Sequence, residues 1–98
     1  MNSEIYRGNV GFDWDDKTFI PSEGMLKIES LLKEMEYCSG SNTQDKGEFY
    51  YRPKDNSWWH YLQYETYDTT LERVTREHIE KDFPYVDCDD RSPVTWLD

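Results

Sequence analysis

Residues 57–67 read SWWHYLQYETY, and no other stretch restricts the fold as strongly. Large rings packed this densely suit the pleated, half-buried surface of a strand and are foreign to a disordered acidic segment. Residues 48–52 (EFYYR) form a second aromatic run, and Pro53, Lys54, Asp55 and Asn56 join the two. Pro, Asp and Asn are turn formers, so the pair predicts a β-hairpin with a four-residue connection. In its second strand Trp58, His60, Leu62 and Tyr64 point one way, and Trp59, Tyr61, Gln63 and Glu65 the other.

Towards the N-terminus, Tyr6, Gly8, Val10, Phe12 and Trp14 alternate with Ile5, Arg7, Asn9, Gly11 and Asp13. That period of two predicts one strand, ended by Asp15 and Asp16. Pro21 and Ser22 then announce a helix, with Ser22 as N-cap and Glu23 in the first turn. Met25, Ile28, Leu31, Leu32 and Met35 follow at helical spacing, continued by Cys38, with Gly40 as the expected C-cap and a polar loop over 39–46. Thr69 and Glu72 have the spacing of a capping box, which predicts a second helix with Leu71, Val74, Thr75, His78 and Ile79 on its buried side. Phe83 and Pro84 end it. Two β-like pieces, 85–88 and 94–97, flank a polar loop over 89–93.

The expected order is strand, helix, strand, strand, helix, strand. It predicts an α+β chain of ferredoxin-like βαββαβ type, a four-stranded antiparallel sheet with both helices on one face, in a single acidic domain over residues 1–98. The order resembles that of RNA-recognition domains. The basic, glycine-containing aromatic motif of their third strand is missing, and no Arg or Lys lies near Trp58 to Leu62 to meet phosphates.

Charge narrows the function classes. Twenty-one acidic side chains against eleven basic ones leave a net charge of −10, which repels nucleic acid and anionic lipid and steers the chain towards basic surfaces. No apolar run is long enough to span a bilayer and the first fifteen residues are polar, so a cytoplasmic protein is expected. Cys38 and Cys88 lack metal-type spacing and are expected to be reduced, partly buried thiols. No phosphate-cradling glycine loop, nucleophile elbow or H-E-x-x-H motif occurs, and no cofactor is expected. His60 and His78 fall on different elements, His78 as a structural residue of the second helix.

Two groups of residues are candidates for contact with a partner. Trp59 and Tyr61, with Tyr50 or Tyr51 beside them, would form an aromatic patch on an open sheet face. Burial under the C-terminal tail, with Trp96 as the cover, is the structural alternative. Asp13, Asp15 and Asp16 end the first strand, while Asp87, Asp89 and Asp90 precede the last. With those strands adjacent, the six carboxylates would share a corner, with Asp55 at the nearby hairpin tip. Solvated turns, a phosphate-like array, and a Mg²⁺ or Ca²⁺ site compete for the acidic residues. The leading expectation is a small inhibitor or antidote, in a phage or plasmid setting. It would occlude the basic nucleic-acid-binding surface of a nuclease, a restriction or CRISPR effector, or a toxin. The alternatives are a metal-dependent hydrolase using Asp13, Asp15 and Asp87, and a homodimer formed through the open sheet face.

Overall fold

The computed structural model describes residues 4–41, 47–64, 68–95 and 97; Glu65 and Trp96 lie outside them. In chain order the elements are β1 (Ile5–Gly8), β2 (Val10–Asp13), β3 (Thr18–Pro21), α1 (Glu23–Leu32), β4 (Glu36–Ser39), β5 (Glu48–Arg52), β6 (Ser57–Gln63), β7 (Thr69–Val74), α2 (Arg76–Asp82) and β8 (Asp87–Pro93). The chain is α+β, with two helices and antiparallel pairing throughout the described ladders. The sheet is larger than the four strands of the ferredoxin-like expectation. Six strands run in the order β1-β7-β6-β5-β4-β8, and β2 and β3 form a separate two-stranded sheet.

Four consecutive strands, β4 to β7, make a meander at the centre of this sheet, and each flank gains one strand from a distant part of the chain. Within the meander the aromatic hairpin forms as its sequence predicts. Arg52 pairs with Ser57 around the four-residue turn, and Tyr50 lies opposite Trp59. The flanking strands explain the placement of the helices. β1 runs parallel to β4 and β7 parallel to β8, so β1-α1-β4 and β7-α2-β8 are both crossovers in the same direction along the sheet. Since β1 and β7 are antiparallel, two crossovers of one hand must pass over opposite faces.

The core shows this arrangement. Ile28, Leu31 and Leu32 of α1 pack with Tyr50, Trp59 and Leu71 on one face. Ile79 of α2 packs with Cys38, Phe49 and Trp58 on the other. The helices therefore do not share a face, and that corrects the prediction. It also resolves where so many rings go: neighbouring Trp58 and Trp59 point to opposite faces and both are buried. Arg91 closes the α2 side, its guanidinium 4.2 Å from the Tyr51 ring centroid and 3.0 Å from Glu36.

Several element boundaries differ from expectation for tertiary reasons. The N-terminal alternation breaks at Asn9, so it serves β1 in the main sheet and β2 in the small one. The apolar stripe of α1 continues as far as Cys38, but the helix stops at Leu32 and Met35 leads into β4, which pairs with β5 and β8. Thr69 and Glu72 are not a capping box; TTLERV is strand β7, with Thr69 and Leu71 buried between β1 and β6. The second helix begins one turn later, at N-cap Thr75, whose hydroxyl accepts from the His78 amide. His78 is exposed and pairs with Asp82 at 3.0 Å, so it is not part of a buried stripe. The expected polar loop over 89–93 is the greater part of β8, which pairs with β4 across a bulge.

The start of α1 lies directly on β1. A Cβ added at Gly24 would stand 2.0 Å from the Arg7 carbonyl oxygen, and one added at Gly8 would stand 2.3 Å from the Met25 nitrogen. Only two glycines permit backbones to approach this closely. Their contact fixes the point at which the β2–β3 hairpin leaves the body.

Candidate functional site: the projecting hairpin

The β2–β3 hairpin covers residues 10–21, and its strands alternate as an amphipathic ribbon. Val10 pairs with Pro21 and Phe12 with Phe19 on one side; Gly11 pairs with Ile20 and Asp13 with Thr18 on the other. Pro21 lacks an amide donor and ends the ladder. At the opposite end, one Asp13 side-chain oxygen accepts from the amides of Asp15 (2.9 Å) and Asp16 (3.3 Å), and Lys17 takes a left-handed backbone conformation with φ of 55°. An Asx-type turn of this kind sets the tip without help from the rest of the molecule.

A two-stranded ribbon is marginal by itself in water. Here its base is clamped. The Ser22 amide donates to the Asn9 carbonyl at 2.9 Å, and the Asn9 amide donates to Ser22 Oγ at 3.0 Å. The same Oγ accepts from the Met25 amide at 3.1 Å as the N-cap of α1. One hydroxyl thus couples the helix start to both legs of the hairpin. Ser22→Ala is expected to lose about 1–2 kcal/mol in chemical denaturation and to speed amide exchange at Asn9 as well as at Met25. Protection unchanged at Asn9 would show that the clamp is not formed in solution.

The rings on this ribbon pack on one another. Phe12 meets Trp14 edge-on at 4.6 Å between centroids and Phe19 at 5.2 Å. Trp14 is nevertheless 80% exposed, Phe19 62% and Ile20 53%. With Phe12, at 36%, the hairpin carries four of the eight large hydrophobic side chains that are exposed among the described residues. Asp13 and Asp15 flank Trp14 in the chain and Asp16 follows, and Asp15 and Asp16 have no side-chain partner among the described residues.

The other expected contact residues are placed differently. Trp59 is completely buried, its indole N–H donating to Ser57 Oγ at 2.7 Å, and Tyr61 is half-buried beside it. The face taken as open is the one α1 covers, and Val94 and Leu97 of the tail also pack against it. The acidic corner does not form on adjacent strands either, because β8 joins the sheet at the edge opposite β1. Asp55 serves the β5–β6 turn: it accepts from the Ser57 hydroxyl and lies near Arg52 and Arg73, and these contacts hold its carboxyl below the ordinary range. Asp89 pairs with Arg76 at 2.9 Å, and that hydrogen bond lowers its carboxyl in the same way. Asp87 accepts from the amides of Asp89 and Asp90 in the β8 bulge. Of the predicted contact residues, Asp13, Asp15 and Asp16 share the hairpin tip, on the same hairpin as the ring cluster of Phe12, Trp14 and Phe19, none of which was predicted as a contact residue.

Among the described residues, no three His, Cys, Asp or Glu side chains converge to hold an ion. Asp13 lies on β2 of the small sheet and Asp87 on β8 of the main sheet. An open cavity of about 960 Å³ lies at the hairpin base, with Arg7, Asn9, Ser22, Tyr64, Asp68 and Thr70 among its lining residues. No histidine is among its described lining residues, and Ser22 Oγ is already engaged as an acceptor.

Cys38 and Cys88 are free and buried on adjacent strands. Burial, followed by the neighbouring Cys88 thiol, pushes Cys38 up to about 12 from an ordinary 9.0. Burial raises Cys88 as well. Thiols held protonated are poor nucleophiles. The unfolded chain releases the Cys38 proton first, so this contribution is intact below pH 9 and is lost as pH rises from there towards 12. Urea midpoints should fall through that window, with a slope from Cys38 of at most about 1.4 kcal/mol per pH unit. Cys38→Ala should flatten it; an unchanged slope in that variant would assign alkaline unfolding to other groups.

Comparison with models of protein families, with curated proteins and with solved structures finds no significant match. Among the described residues, no helix is long and apolar enough to cross a membrane.

Proposed function

We propose that this protein is a small acidic inhibitor or antidote that acts by occupying a surface on another protein and not by catalysis. Its partner is a basic, nucleic-acid-handling protein of the cytoplasm, such as a nuclease, a restriction or CRISPR effector, or a toxin. The observation that carries this reading is the exposed ring cluster of Phe12, Trp14 and Phe19 beside Asp13, Asp15 and Asp16. Exposed aromatics supply short-range anchoring, and clustered carboxylates in a chain of net charge −10 supply long-range attraction to cations. Nucleic acid and anionic lipid are disfavoured by the same field. Mimicry of a phosphate array is weakened by the separation of the acidic groups between the hairpin and the far edge strand.

The test is inhibition of cleavage. A panel of basic nucleases and effectors is mixed with the protein and a nucleic-acid substrate. Saturable inhibition of a member, relieved by added salt and by excess nucleic acid, is the expected outcome. Direct binding of the protein to nucleic acid, or inhibition indifferent to salt, would contradict the proposal.

A further inference from the structure

We infer that the 10–21 hairpin is a preformed docking prong, which carries Trp14 into an apolar cleft rimmed by lysine or arginine on the partner protein. This rests on the reading above and deepens it, by naming the recognition element and the chemistry of the surface that receives it.

Three properties distinguish the hairpin from a surface that merely exposes a few rings. Its apolar groups are contiguous: the Phe12 ring touches those of both Trp14 and Phe19. Contiguous apolar patches are unusual on a protein surface unless something covers them. Its shape is fixed in advance at both ends, by the Asp13 turn at the tip and the Asn9–Ser22 clamp at the base. Preorganisation removes an ordering cost that a loose loop meets on binding. Finally, the most exposed of the large apolar side chains among the described residues sits within the acidic stretch: Trp14 lies between Asp13 and Asp15 in the chain and is 80% exposed.

Charge selects the occupant. A second copy would bring the same three carboxylates to the interface, and an anionic bilayer would repel them as the tryptophan approached. A cleft with cationic groups at its rim satisfies both components: the indole loses water inside while Asp15 and Asp16 remain at the wet margin. The two components should separate kinetically. Loss of the ring raises the dissociation rate, and loss of the carboxylates lowers the association rate and its salt dependence.

A displayed library of random peptides serves as the probe, panned against the intact protein. Enriched peptides are expected to combine Lys or Arg with large apolar residues. Their affinity should fall at least about tenfold for Trp14→Ser, the size of a modest aromatic hot spot. Asp15→Asn with Asp16→Asn should slow association and flatten the salt dependence, while Asp90→Asn at the far edge changes neither. Circular dichroism confirms that the variants are folded. Basic peptides that bind Trp14→Ser as well as the parent would overturn the hairpin assignment and leave the partner class standing. Binders without basic residues would overturn the partner class itself. A library yielding no hairpin-dependent binder overturns the prong, as does a dimer in light scattering that dissociates on Trp14→Ser, which would make the hairpin a self-interface.

Discussion

Trp59→Ala is expected to cost about 3–5 kcal/mol, a large part of the stability of a chain this size. The indole is fully buried between α1 and the sheet, and it touches Tyr6 at 5.9 Å between ring centroids. Truncation removes the ring area, leaves a cavity that the flanking strands cannot close, and deprives Ser57 Oγ of its indole donor. Trp14→Ala is the matched control. That ring contacts Phe12 but is 80% exposed, so its loss should cost no more than about 1 kcal/mol. Urea denaturation followed by circular dichroism measures both. A cost below about 1 kcal/mol for Trp59→Ala would mean that its face of the sheet is open after all. A large cost for Trp14→Ala would mean that the hairpin rings form a core, and would remove the basis for the proposed contact. The two tryptophans divide the work: one holds the fold, and the other is available to a partner.

That division was only half legible in the sequence. Residues 48–63 declared themselves because turn chemistry and aromatic alternation agree there, and the observed pairing of Arg52 with Ser57 follows from both. The start of α1 was equally plain, since Ser22 and Glu23 are a cap and a dipole partner before a stripe at helical spacing. TTLERV shows the opposite case. Its Thr-x-x-Glu spacing satisfies a capping box, but its alternation of Thr69, Leu71 and Arg73 with Thr70, Glu72 and Val74 satisfies a strand, and pairing on both sides decides for the strand. β8 had a local signal only at its start, where the β-like piece over 85–88 overlaps Asp87 and Cys88. DCDDRSP is poor in strand formers, and it is extended because β4 offers it an edge.

Trp59 was expected on an open face because an exposed and a buried aromatic strand look alike along the chain. Which face of β6 is covered depends on the crossover of α1, a property of the sheet order that no local pattern reports. A usable signal did exist nearer the N-terminus. Val10, Phe12, Phe19 and Pro21 mirror one another around the acidic stretch 13–17, which is the arrangement of a hairpin with its own apolar face. Reading Val10 to Trp14 as the continuation of one strand concealed that symmetry.

Gly24→Ala should destabilise the protein by about 2–3 kcal/mol although it replaces glycine with the best helix former. Propensity alone favours the substitution by about 1 kcal/mol. Against this stands a Cβ 2.0 Å from the Arg7 carbonyl oxygen and 3.3 Å from Gly8 Cα, both of them main-chain atoms that cannot rotate away. Overpacking typically costs about 1–3 kcal/mol even where side chains can adjust, and here α1 must lift from β1. Ser30→Ala, at an exposed position of the same helix, feels propensity without the clash and should be slightly stabilising. Opposite signs for the two substitutions are therefore the expected result, and a stabilising Gly24→Ala would show that helix and strand do not meet as described. The consequence extends to the prong. Lifting α1 pulls Ser22 from Asn9, so the variant should lose amide protection at Asn9 and through β2, and bind the hairpin-dependent peptides more weakly with Trp14 intact. A prong that still bound at full affinity would owe nothing to its clamp, and preorganisation could not be the source of its strength.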